Sequence, residues 1–303
     1  MPKIKVMITG NRGFIGMHLT DYLSEKDTFE VVGFDIKNSP LEDIRNEKYI
    51  NDFMNKHKPE IVIHLAANPD ISTSTNYPEF DSILNIAGTI NMLEASKKHN
   101  IGLFIFSSTA QVCGEPKAKK MDESHSLNPK SPYAISKLAS ERYINFYYEK
   151  YNLPTTIFRF FNIFGEGQLD WVVIPSLIKK MTETKTKEFK MYGSKQDSRD
   201  FVYVKDICRA FELAIDKKPV GQVINLGTGK EIFIIDLAKK IASLLGKKFN
   251  YKYSGQSEGA KVKRMEADIT KAKNILGWKP KYSLEQGLIN VIKNKGHPIK
   301  EGK

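Results

Sequence analysis

The sequence predicts an α/β protein, with a doubly wound parallel sheet over residues 1–168 and a smaller C-terminal α/β lobe over residues 169–303. Up to about residue 161, short apolar runs alternate with longer segments of helical periodicity. This alternation is typical of parallel strands joined by crossover helices. The first apolar run also leads directly into a glycine-rich turn and then into a helical pattern, as in the first unit of many such sheets. We expect some chain to cross between the two parts.

The composition is that of an ordinary globular protein, with 41% hydrophobic and 27% charged residues among 303. We expect no membrane segment, because no apolar run approaches about 18 residues, and no secretory signal at the N-terminus. Two cysteines, Cys113 and Cys208, are too few for a disulfide framework and favour a reducing, cytoplasmic location. The net charge is +12, but the lysines are scattered. We therefore expect a surface that attracts small anionic ligands rather than nucleic acid.

The glycine-rich turn carries Gly10, Gly13 and Gly16, between a predicted strand at 3–9 and a predicted helix at 14–26. In that context glycines allow a tight turn and close approach of a pyrophosphate, which the helix N-terminus attracts. Asp35 ends the next predicted strand, 30–34, about 20 residues after the turn. A carboxylate there binds ribose hydroxyls and repels a 2′-phosphate, so it favours NAD over NADP. The alternative for Asp35 is a turn-forming acid.

The middle of the predicted sheet places further candidates at strand ends. Within the short segment 38–59, residues 43–44 are predicted to form a short strand. A strand at 60–65 follows, and it leads into small residues that leave room for a ligand. His64 is either a catalytic base or a hydrogen-bonded core histidine, and we favour the core histidine. Residues 68–78 are predicted to be a loop. The following helix, 80–99, carries Asn85 within its apolar pattern, so Asn85 needs a buried partner.

The next strand, 102–107, leads into a run of hydroxyl residues from Ser107 to Thr109. These hydroxyls either point into a ligand crevice or satisfy turn amides. A helix at 131–151 then presents Tyr133 and Lys137 four residues apart, on one face. A nearby ammonium stabilises a phenolate, so we expect the pKa of Tyr133 to fall toward neutral. Such a phenol can take a proton from a hydroxyl and return it to a ketone. By itself, this spacing also occurs in helices by chance.

A strand at 154–161 completes the predicted sheet, and the pattern then becomes less regular. The elements predicted after it are a helix at 172–182, a strand at 188–192, a strand at 201–204 leading into a helix to about 214, a strand at 223–226, a helix at 232–245, a strand at 249–253 and helices at 269–276 and 283–294. We interpret this half as a lobe that closes over the sheet's crevice. The sequence has no internal repeat and no metal-ligand cluster, so we predict no metal.

Several motifs in this order resemble one family. They are Thr9-Gly10-x-x-Gly13-Phe14-Ile15-Gly16, Asp35, His64-Leu65-Ala66-Ala67, the 107–114 loop, Tyr133-x-x-x-Lys137, Arg159-Phe160-Phe161-Asn162, Arg199-Asp200-Phe201-Val202-Tyr203-Val204-x-Asp206, Asn225-Leu226-Gly227 and Leu276-Gly277-Trp278-x-Pro280. The chain resembles the extended short-chain dehydrogenase/reductases that act on nucleotide sugars, the NAD-dependent epimerase/dehydratase family. The resemblance implies a Rossmann fold, bound NAD and a nucleotide-sugar substrate.

The resemblance also implies roles for individual residues. Tyr133 would be the acid/base, Lys137 its electrostatic partner and a ribose ligand, and Thr109 a hydroxyl that shares the proton of the sugar's 4-OH. The implied cofactor contacts are Gly10, Arg12, Gly13, Phe14, Ile15, Gly16, Asp35, Ile36, Lys37, Asn38, Asp43, Ile44, Leu65, Ala66, Ala67, Asn85, Ser107, Tyr133, Lys137 and Phe161. The implied substrate contacts are Thr109, Tyr133, Asn162, Arg199 and Arg264, with Lys261 as an alternative to Arg264.

Within this family, the 4,6-dehydratases resemble one another in an Asp-Glu pair after the threonine. Here Ala110 and Gln111 follow Thr109. The resemblance therefore implies a 4-epimerase, with UDP-glucose and UDP-galactose as its substrates and a transient 4-keto sugar. The alternatives are a UDP-glucuronate epimerase or decarboxylase, an NADP-dependent keto-sugar reductase, and a non-catalytic dinucleotide-binding protein. Resemblance further implies a homodimer formed through the helices at 80–99 and 131–151.

Overall fold

The computed structural model describes residues 2–183, 189–191, 193–253 and 262–300. The strands in these ranges are β1 (Ile4–Thr9), β2 (Phe29–Phe34), β3 (Ile61–His64), β4 (Leu103–Thr109), β5 (Thr155–Phe160), β6 (Asn162–Phe164), β7 (Phe189–Met191), β8 (Ser198–Tyr203), β9 (Gln222–Leu226), β10 (Glu231–Phe233) and β11 (Tyr251–Tyr253). The α-helices are α1 (Phe14–Ser24), α2 (Glu47–His57), α3 (Ile71–Asn76), α4 (Pro78–Ser82), α5 (Gly88–Lys98), α6 (Pro132–Tyr151), α7 (Val173–Glu183), α8 (Val204–Lys217), α9 (Ile234–Leu244), α10 (Thr270–Leu276) and α11 (Leu284–Asn294).

The main sheet confirms the predicted fold. Its six strands are all parallel, in the order β2-β1-β3-β4-β5-β9. Every residue of β3, β4 and β5 is buried, because helices cover both faces of the sheet. One core lies on the α1 and α8 side, and the other lies on the α2, α5 and α6 side. The strand order reverses between β1 and β3, and ligands bind such sheets outside the carboxyl ends of the strands at that point.

The smaller part has its own core and two small sheets. One sheet has the order β10-β8-β6, and the other pairs β11 with β7. The apolar faces of α7, α9 and α11 pack on this side of the molecule. The chain also crosses back after residue 168, since β9 pairs with β5 in the main sheet and α8 packs against α1. The two parts are thus joined by shared elements as well as by sequence.

Some predicted elements are wrong. Residues 71–76 form helix α3 rather than a loop, because the Asp70 carboxylate accepts hydrogen bonds from the backbone N–H groups of Ser72 (2.9 Å) and Thr73 (3.2 Å). This N-cap outweighs the polar composition of the segment. Residues 43–44 form a turn instead of a short strand, in which Asn46 N–H donates to the Asp43 carbonyl at 2.9 Å.

Other boundaries also differ. The structure extends β4 to Thr109, starts β8 at Ser198 and forms β6 in a segment for which no element was predicted. The predicted helix at 80–99 has no break up to residue 98, but its hydrogen-bonding type changes along its length. A π-helical turn, Ile83–Ala87, separates α4 from α5. Residues 188 and 192, which end one predicted strand, lie outside the described residues.

The C-terminal segment is fastened to the start of α8 by Asp206. The side chain of Asp206 is buried, and its carboxylate accepts hydrogen bonds from the N–H groups of Lys281 (2.8 Å) and Tyr282 (3.1 Å). The indole N–H of Trp278, a fully buried residue, donates to the Asp206 carbonyl at 2.9 Å. The motif that ends at Asp206 therefore contacts the motif that contains Trp278, and this contact stabilises the fold.

Replacing Asp206 should destabilise the protein. Asp206→Ala leaves the two backbone N–H groups without their acceptor, and we expect the free energy of unfolding to fall by about 2–4 kcal/mol. Urea denaturation monitored by circular dichroism measures this change. Asp216→Ala, at an exposed position of the same helix, should change the free energy by no more than about 0.5 kcal/mol. Equal midpoints for Asp206→Ala and the wild type would contradict the structural role.

Candidate functional site

The turn after β1 approaches the end of β3 so closely that only glycine fits at its first position. Gly10 has a φ of +72°, and a Cβ there would lie 2.8 Å from the backbone nitrogen of Ala66. Further along the turn, a Cβ on Gly16 would lie 2.0 Å from the carbonyl oxygen of Gly10. Helix α1 therefore packs directly against the turn. The predicted glycine motif lies at the point where the strand order reverses.

The N-terminus of α1 opens onto this turn. Gly13 is the N-cap residue and provides no side chain to cap the first-turn N–H groups. Phe14 and Ile15 follow, and their side chains pack into the cores of the smaller part and the main sheet, respectively. Their backbone N–H groups lie at the positive end of the helix dipole, which suits an anion. The turn thus has the donors that a pyrophosphate requires.

Asp35 closes this turn from the side of β2. Its carboxylate accepts one hydrogen bond from Arg12 N–H and one from Lys37 N–H, each at 2.9 Å. The two interpretations of Asp35 are therefore compatible, because each oxygen keeps a further lone pair after serving the turn. Glu42, which the sequence did not single out, supports the same turn by accepting from Asp35 N–H (2.8 Å) and the Asn38 side chain (3.0 Å). Ile36 is exposed.

Asp43 and Ile44 face in different directions. The carboxylate of Asp43 is paired with Arg45 at 2.5 Å, and the hydrogen bonds from Arg45 hold the pKa of that carboxyl below its usual range. Ile44 is buried, and its side chain lies against Gly88, where a Cβ would be 2.6 Å from Ile44 Cδ1.

His64 is a core histidine, as we favoured. It is fully buried, with Nδ1 2.7 Å from the hydroxyl of Thr9 and Nε2 3.1 Å from the hydroxyl of Thr89. Burial lowers the pKa of His64 to about 3, with a further contribution from the charge of Lys137. The imidazole is therefore neutral. Leu65, Ala66 and Ala67 follow at the carboxyl end of β3, where Ala66 N–H donates to the Thr9 hydroxyl at 3.2 Å.

Asn85 has the buried partners that its position required. It lies in the π-helical turn, and its side-chain NH₂ donates to Asp81 (3.0 Å) and to the hydroxyl of Ser136 (3.1 Å). Its side-chain oxygen accepts from Asn68 N–H at 2.8 Å. The hydroxyl of Ser140 donates to the Asn85 carbonyl at 2.9 Å. Helical turns of this type recur at functional sites, and here the turn fixes the position of α6.

Tyr133 and Lys137 occupy the first turns of α6. Pro132 begins the helix, and the Ser131 hydroxyl caps it by accepting from Ala134 N–H at 3.2 Å. Lys137 is buried, with 3% of its surface exposed, and its Nζ lies 4.5 Å from the centre of the Phe106 ring. Burial lowers the pKa of Lys137 to about 7, although nearby carboxylates oppose this shift.

The expected fall in the pKa of Tyr133 does not occur. Burial raises the pKa of this phenol above its ordinary value, and the negative charge of Asp81 raises it further. The reason is that the phenolate, like the Lys137 ammonium, loses its hydration inside the protein. The sequence showed the pair but not the surroundings that decide its charge.

Of the hydroxyl residues at the end of β4, only Thr109 satisfies a turn amide in the described structure. Ser107 donates to the His64 carbonyl at 3.0 Å, and Ser108 donates to Glu141 at 2.5 Å, so the O–H proton of each is used within the protein while its oxygen can still accept. Thr109 accepts from Gln111 N–H at 3.2 Å and caps a short 3₁₀ turn. The O–H of Thr109 remains a donor, so this residue can cap the turn and still contact a ligand.

The sequence did not single out Glu141, which holds α6 to β5. Arg159 Nε and Nη2 lie 3.0 Å and 2.7 Å from the two Glu141 carboxylate oxygens, and both side chains are buried. The available signal was the position of Glu141 four residues after Lys137, one turn further along the same helix face. Asp81 was also missed. It is buried, four residues before Asn85, and bonded to Asn85.

Three of the predicted substrate residues, Asn162, Arg199 and Arg264, lie on or beside the smaller sheet, and Phe161, predicted to contact the cofactor, precedes Asn162. Phe161 is buried and donates its N–H to the Leu226 carbonyl at 3.0 Å, and Asn162 begins β6. Arg199 on β8 donates to the Ser198 carbonyl at 2.7 Å, and burial lowers its pKa. Arg264 is ion-paired with Glu231, the neighbour of Asp200 across β10 and β8. Lys261 lies outside the described residues.

The structure thus groups the predicted cofactor and catalytic residues at the carboxyl edge of the main sheet, and it places Arg199 on β8 of the smaller sheet and Arg264 beside β10, paired with Glu231. Within the described ranges, no helix combines the length and apolarity that crossing a membrane requires.

Comparisons with known proteins agree on the family. Residues 6–227 match the model of the NAD dependent epimerase/dehydratase family. A putative UDP-glucose 4-epimerase from Methanocaldococcus jannaschii is 35% identical over 95% of this chain and 97% of its own length. The crystal structure of UDP-glucose 4-epimerase from Thermotoga maritima with UDP-glucose has a TM-score of 0.89 and 32% identity, over 96% of this chain and 98% of its own.

A third relative acts on a different sugar. It is UDP-glucuronic acid 4-epimerase from Bacillus cereus, solved as a mutant with a fluorinated UDP-sugar and NAD. Its TM-score is 0.87 at 30% identity, over 96% of this chain and 98% of its own. The family match covers more than half of the chain, and the relatives match nearly its full length. On this evidence the chain belongs to the NAD dependent epimerase/dehydratase family.

Proposed function

We propose that the protein is an NAD-dependent nucleotide-sugar 4-epimerase that interconverts UDP-glucose and UDP-galactose. The observation that carries the proposal is the residue set around Thr109. Thr109 and Tyr133 are present at the carboxyl edge of the main sheet, while a buried alanine, Ala110, and Gln111 follow the threonine. No carboxylate therefore follows Thr109 to remove a proton beside the reacting carbon and drive loss of water. The chemistry left to these residues is proton transfer at a single hydroxyl of the sugar.

The residues at this edge fit NAD. The backbone of Gly10 leaves a space that any Cβ would fill, the N-terminus of α1 offers N–H groups to a pyrophosphate, and Asp35 is held in place to accept ribose hydroxyls. When bound, NAD supplies the hydride acceptor and donor for the sugar's C4. The anchored carboxylate of Asp35 repels a 2′-phosphate. It therefore supports NAD over NADP, and an epimerase over an NADP-dependent reductase.

Proton transfer is the task of Tyr133. As a phenolate it would take the proton of the sugar's 4-OH, and as a phenol it would return that proton after the 4-keto sugar has turned in the site. Because burial raises the pKa of Tyr133, the phenolate requires a positive charge beside it. Lys137 provides that charge while it stays an ammonium. The Thr109 hydroxyl provides a second hydrogen bond to the same sugar oxygen.

The smaller sheet would hold the nucleotide diphosphate. Arg199 has a planar fork of donors that matches phosphate oxygens, and part of it is fixed by backbone carbonyls. Arg264 is half exposed and paired with Glu231, and the pairing raises its pKa. To contact a phosphate, Arg264 would exchange a carboxylate for a phosphate oxygen. Such an exchange keeps the positive charge of Arg264 paired, so a bound nucleotide would be able to draw Arg264 away from Glu231.

A homodimer is the assembly we propose. The helices on the α6 side of the main sheet expose an apolar surface made of Phe80, Ile83, Ile135, Tyr143 and Phe146, each between 42% and 54% exposed. Residues of α4, the π-helical turn and α6 contribute to it, and these elements pack together. Monomeric proteins rarely expose apolar surface that is contiguous over such an area. A twofold axis would bury this surface against its own copy.

The proposed activity is tested by proton NMR of the purified protein with UDP-galactose. We expect UDP-glucose to form without net change in cofactor redox state. In Tyr133→Phe the transferable proton is lost, so turnover should fall by about 10²- to 10⁴-fold while NAD remains bound. Tyr151→Phe, at the exposed end of the same helix, should retain normal turnover. Absence of product from the wild type, with NAD added, would overturn the proposed function.

The choice of cofactor is tested at Asp35. Asp35→Asn keeps the size of the side chain and an acceptor for the turn but removes the charge. We expect the affinity for NAD to fall and the preference for NAD over NADP to shrink by about tenfold, or about 1.4 kcal/mol. Titration calorimetry with both dinucleotides measures the ratio. Asp27→Asn, on the exposed loop before β2, is the control, and an unchanged ratio in Asp35→Asn would remove this residue from the site.

The proposed dimer is tested by light scattering after size-exclusion chromatography. The wild type should have the mass of two chains, and Phe146→Glu combined with Ile83→Glu should have the mass of one, because two charges per chain would be buried unpaired at the interface. Leu41→Glu, which places the same charge at an exposed apolar position elsewhere, should remain dimeric. A wild-type mass of one chain would refute the proposed assembly.

A further inference from the structure

Asp81 on α4 has an unusual environment for a carboxylate. Only 1% of its surface is exposed. One oxygen, Oδ1, accepts from the side-chain NH₂ groups of Asn68 (3.2 Å) and Asn85 (3.0 Å). The other oxygen, Oδ2, is also buried and has no hydrogen-bond partner among the described residues. A buried carboxylate oxygen in that state is costly, so its negative charge requires a positive partner.

Asp81 lies close to Lys137, because the side chain of Asn85 donates both to Asp81 and to the hydroxyl of Ser136, the residue before Lys137. Helix α4 packs against α6, and the charge of Asp81 raises the pKa of Lys137 against the larger, opposite effect of burial. The same charge raises the pKa of Tyr133. Asp81 therefore acts electrostatically on both members of the Tyr-Lys pair. None of its hydrogen bonds explains why it should be a carboxylate, since an asparagine oxygen would also accept from the two amides.

The other groups that face Lys137 cannot replace Asp81. Glu141, one turn further along α6, also attracts the ammonium, but its charge is already paired with Arg159. His64 on β3 is neutral. Phe106 on β4 offers only the face of its ring. Among the described residues around Lys137, Asp81 is the carboxylate whose charge is not already neutralised by a cation.

We propose that Asp81 is a positioning residue, whose carboxylate is the buried counter-ion that holds Lys137 as an ammonium beside Tyr133. Its effect on turnover rests on the proposed function, but its effect on Lys137 does not. Two carboxamides orient Oδ1, which leaves Oδ2 for the electrostatic role. The carboxylate thereby sets the number of protons that the Tyr-Lys pair carries near neutral pH.

The direction of the effect follows from the two charges. Removing the negative charge of Asp81 makes the Lys137 ammonium less stable, so Lys137 should lose its proton at lower pH. The same removal makes the Tyr133 phenolate more stable, so Tyr133 should also titrate at lower pH. Because the two groups interact, the apparent pKa values belong to the pair. Both limbs of a bell-shaped activity profile should then move toward acid.

The first experiment measures the titration of Lys137 directly. Lysine labelled with ¹³C at Cε is incorporated, the Lys137 signal is identified by its loss in Lys137→Met, and its shift is followed against pH in the NAD-loaded protein. In Asp81→Asn we expect the midpoint to fall by about one to three pH units, as for loss of a close counter-charge. Glu79→Gln, an exposed position on the same helix, should leave the midpoint unchanged. An unchanged midpoint in Asp81→Asn would overturn the proposal.

The second experiment follows the rate of epimerisation against pH. Asp81→Asn should shift the whole profile toward acid, and Asp81→Glu should restore it because the charge returns. A loss that is uniform across pH would mean that Asp81 acts only through packing, which would also overturn the proposal. Should Asp81→Asn fail to fold, Asp81→Ser removes the same charge. If the wild type shows no turnover, the proposed function fails, yet the Lys137 titration still decides the role of Asp81.

Discussion

The burial of the Lys137 ammonium is the constraint on which the rest of the site depends. A charge in that position loses its hydration, and proteins tolerate the loss only when the charge is paired or the group gives up its proton. Among the described residues Lys137 has no direct ion pair, and it is attracted by Asp81 and Glu141 while a neutral His64 adds no competing charge. The result is an ammonium whose pKa lies near 7. Small changes in nearby charge therefore decide whether Lys137 keeps its proton and can stabilise a Tyr133 phenolate.

The proposed function also requires that helix α6 be held in place, because Tyr133 and Lys137 would act on a ligand that the sheet positions. The Glu141–Arg159 pair fixes the helix to β5, and the Ser136–Asn85 contact fixes it to the π-helical turn. Buried ion pairs contribute little net stability, since the cost of desolvation offsets their attraction. Here the Glu141–Arg159 pair instead holds helix α6 at a single position along the sheet. Ser108, the residue before Thr109, donates a hydrogen bond to Glu141 of this pair. The helix and the end of β4 therefore share a single hydrogen-bond network.

Much of the architecture could be predicted from the sequence, because periodicity and glycine spacing are local. The parallel sheet, the turn at Gly10 and the core assignment of His64 all followed from patterns within a few residues. The errors have two physical causes, a helix cap that lies next to the segment and side chains that are distant in the sequence but close in the fold. The cap at Asp70 turned a polar segment into a helix, and the raised pKa of Tyr133 reflects burial and Asp81. Neither Asp81 nor Glu141 has a motif, since each matters only through what surrounds it.

Several residues at the sheet edge serve the fold and the candidate site together. Asp35 accepts from two amides of its own turn, and Thr109 accepts from one, yet each keeps a lone pair or a proton for a ligand. The protein therefore fixes these groups before any ligand arrives, and a ligand that completes their hydrogen bonds need not order them. Arg264 differs, because its guanidinium is already paired with Glu231, and in the proposed function it would have to exchange or share this partner to bind a phosphate. The main-sheet edge is thus preorganised, whereas the proposed diphosphate site beside the smaller sheet would have to rearrange around Arg264.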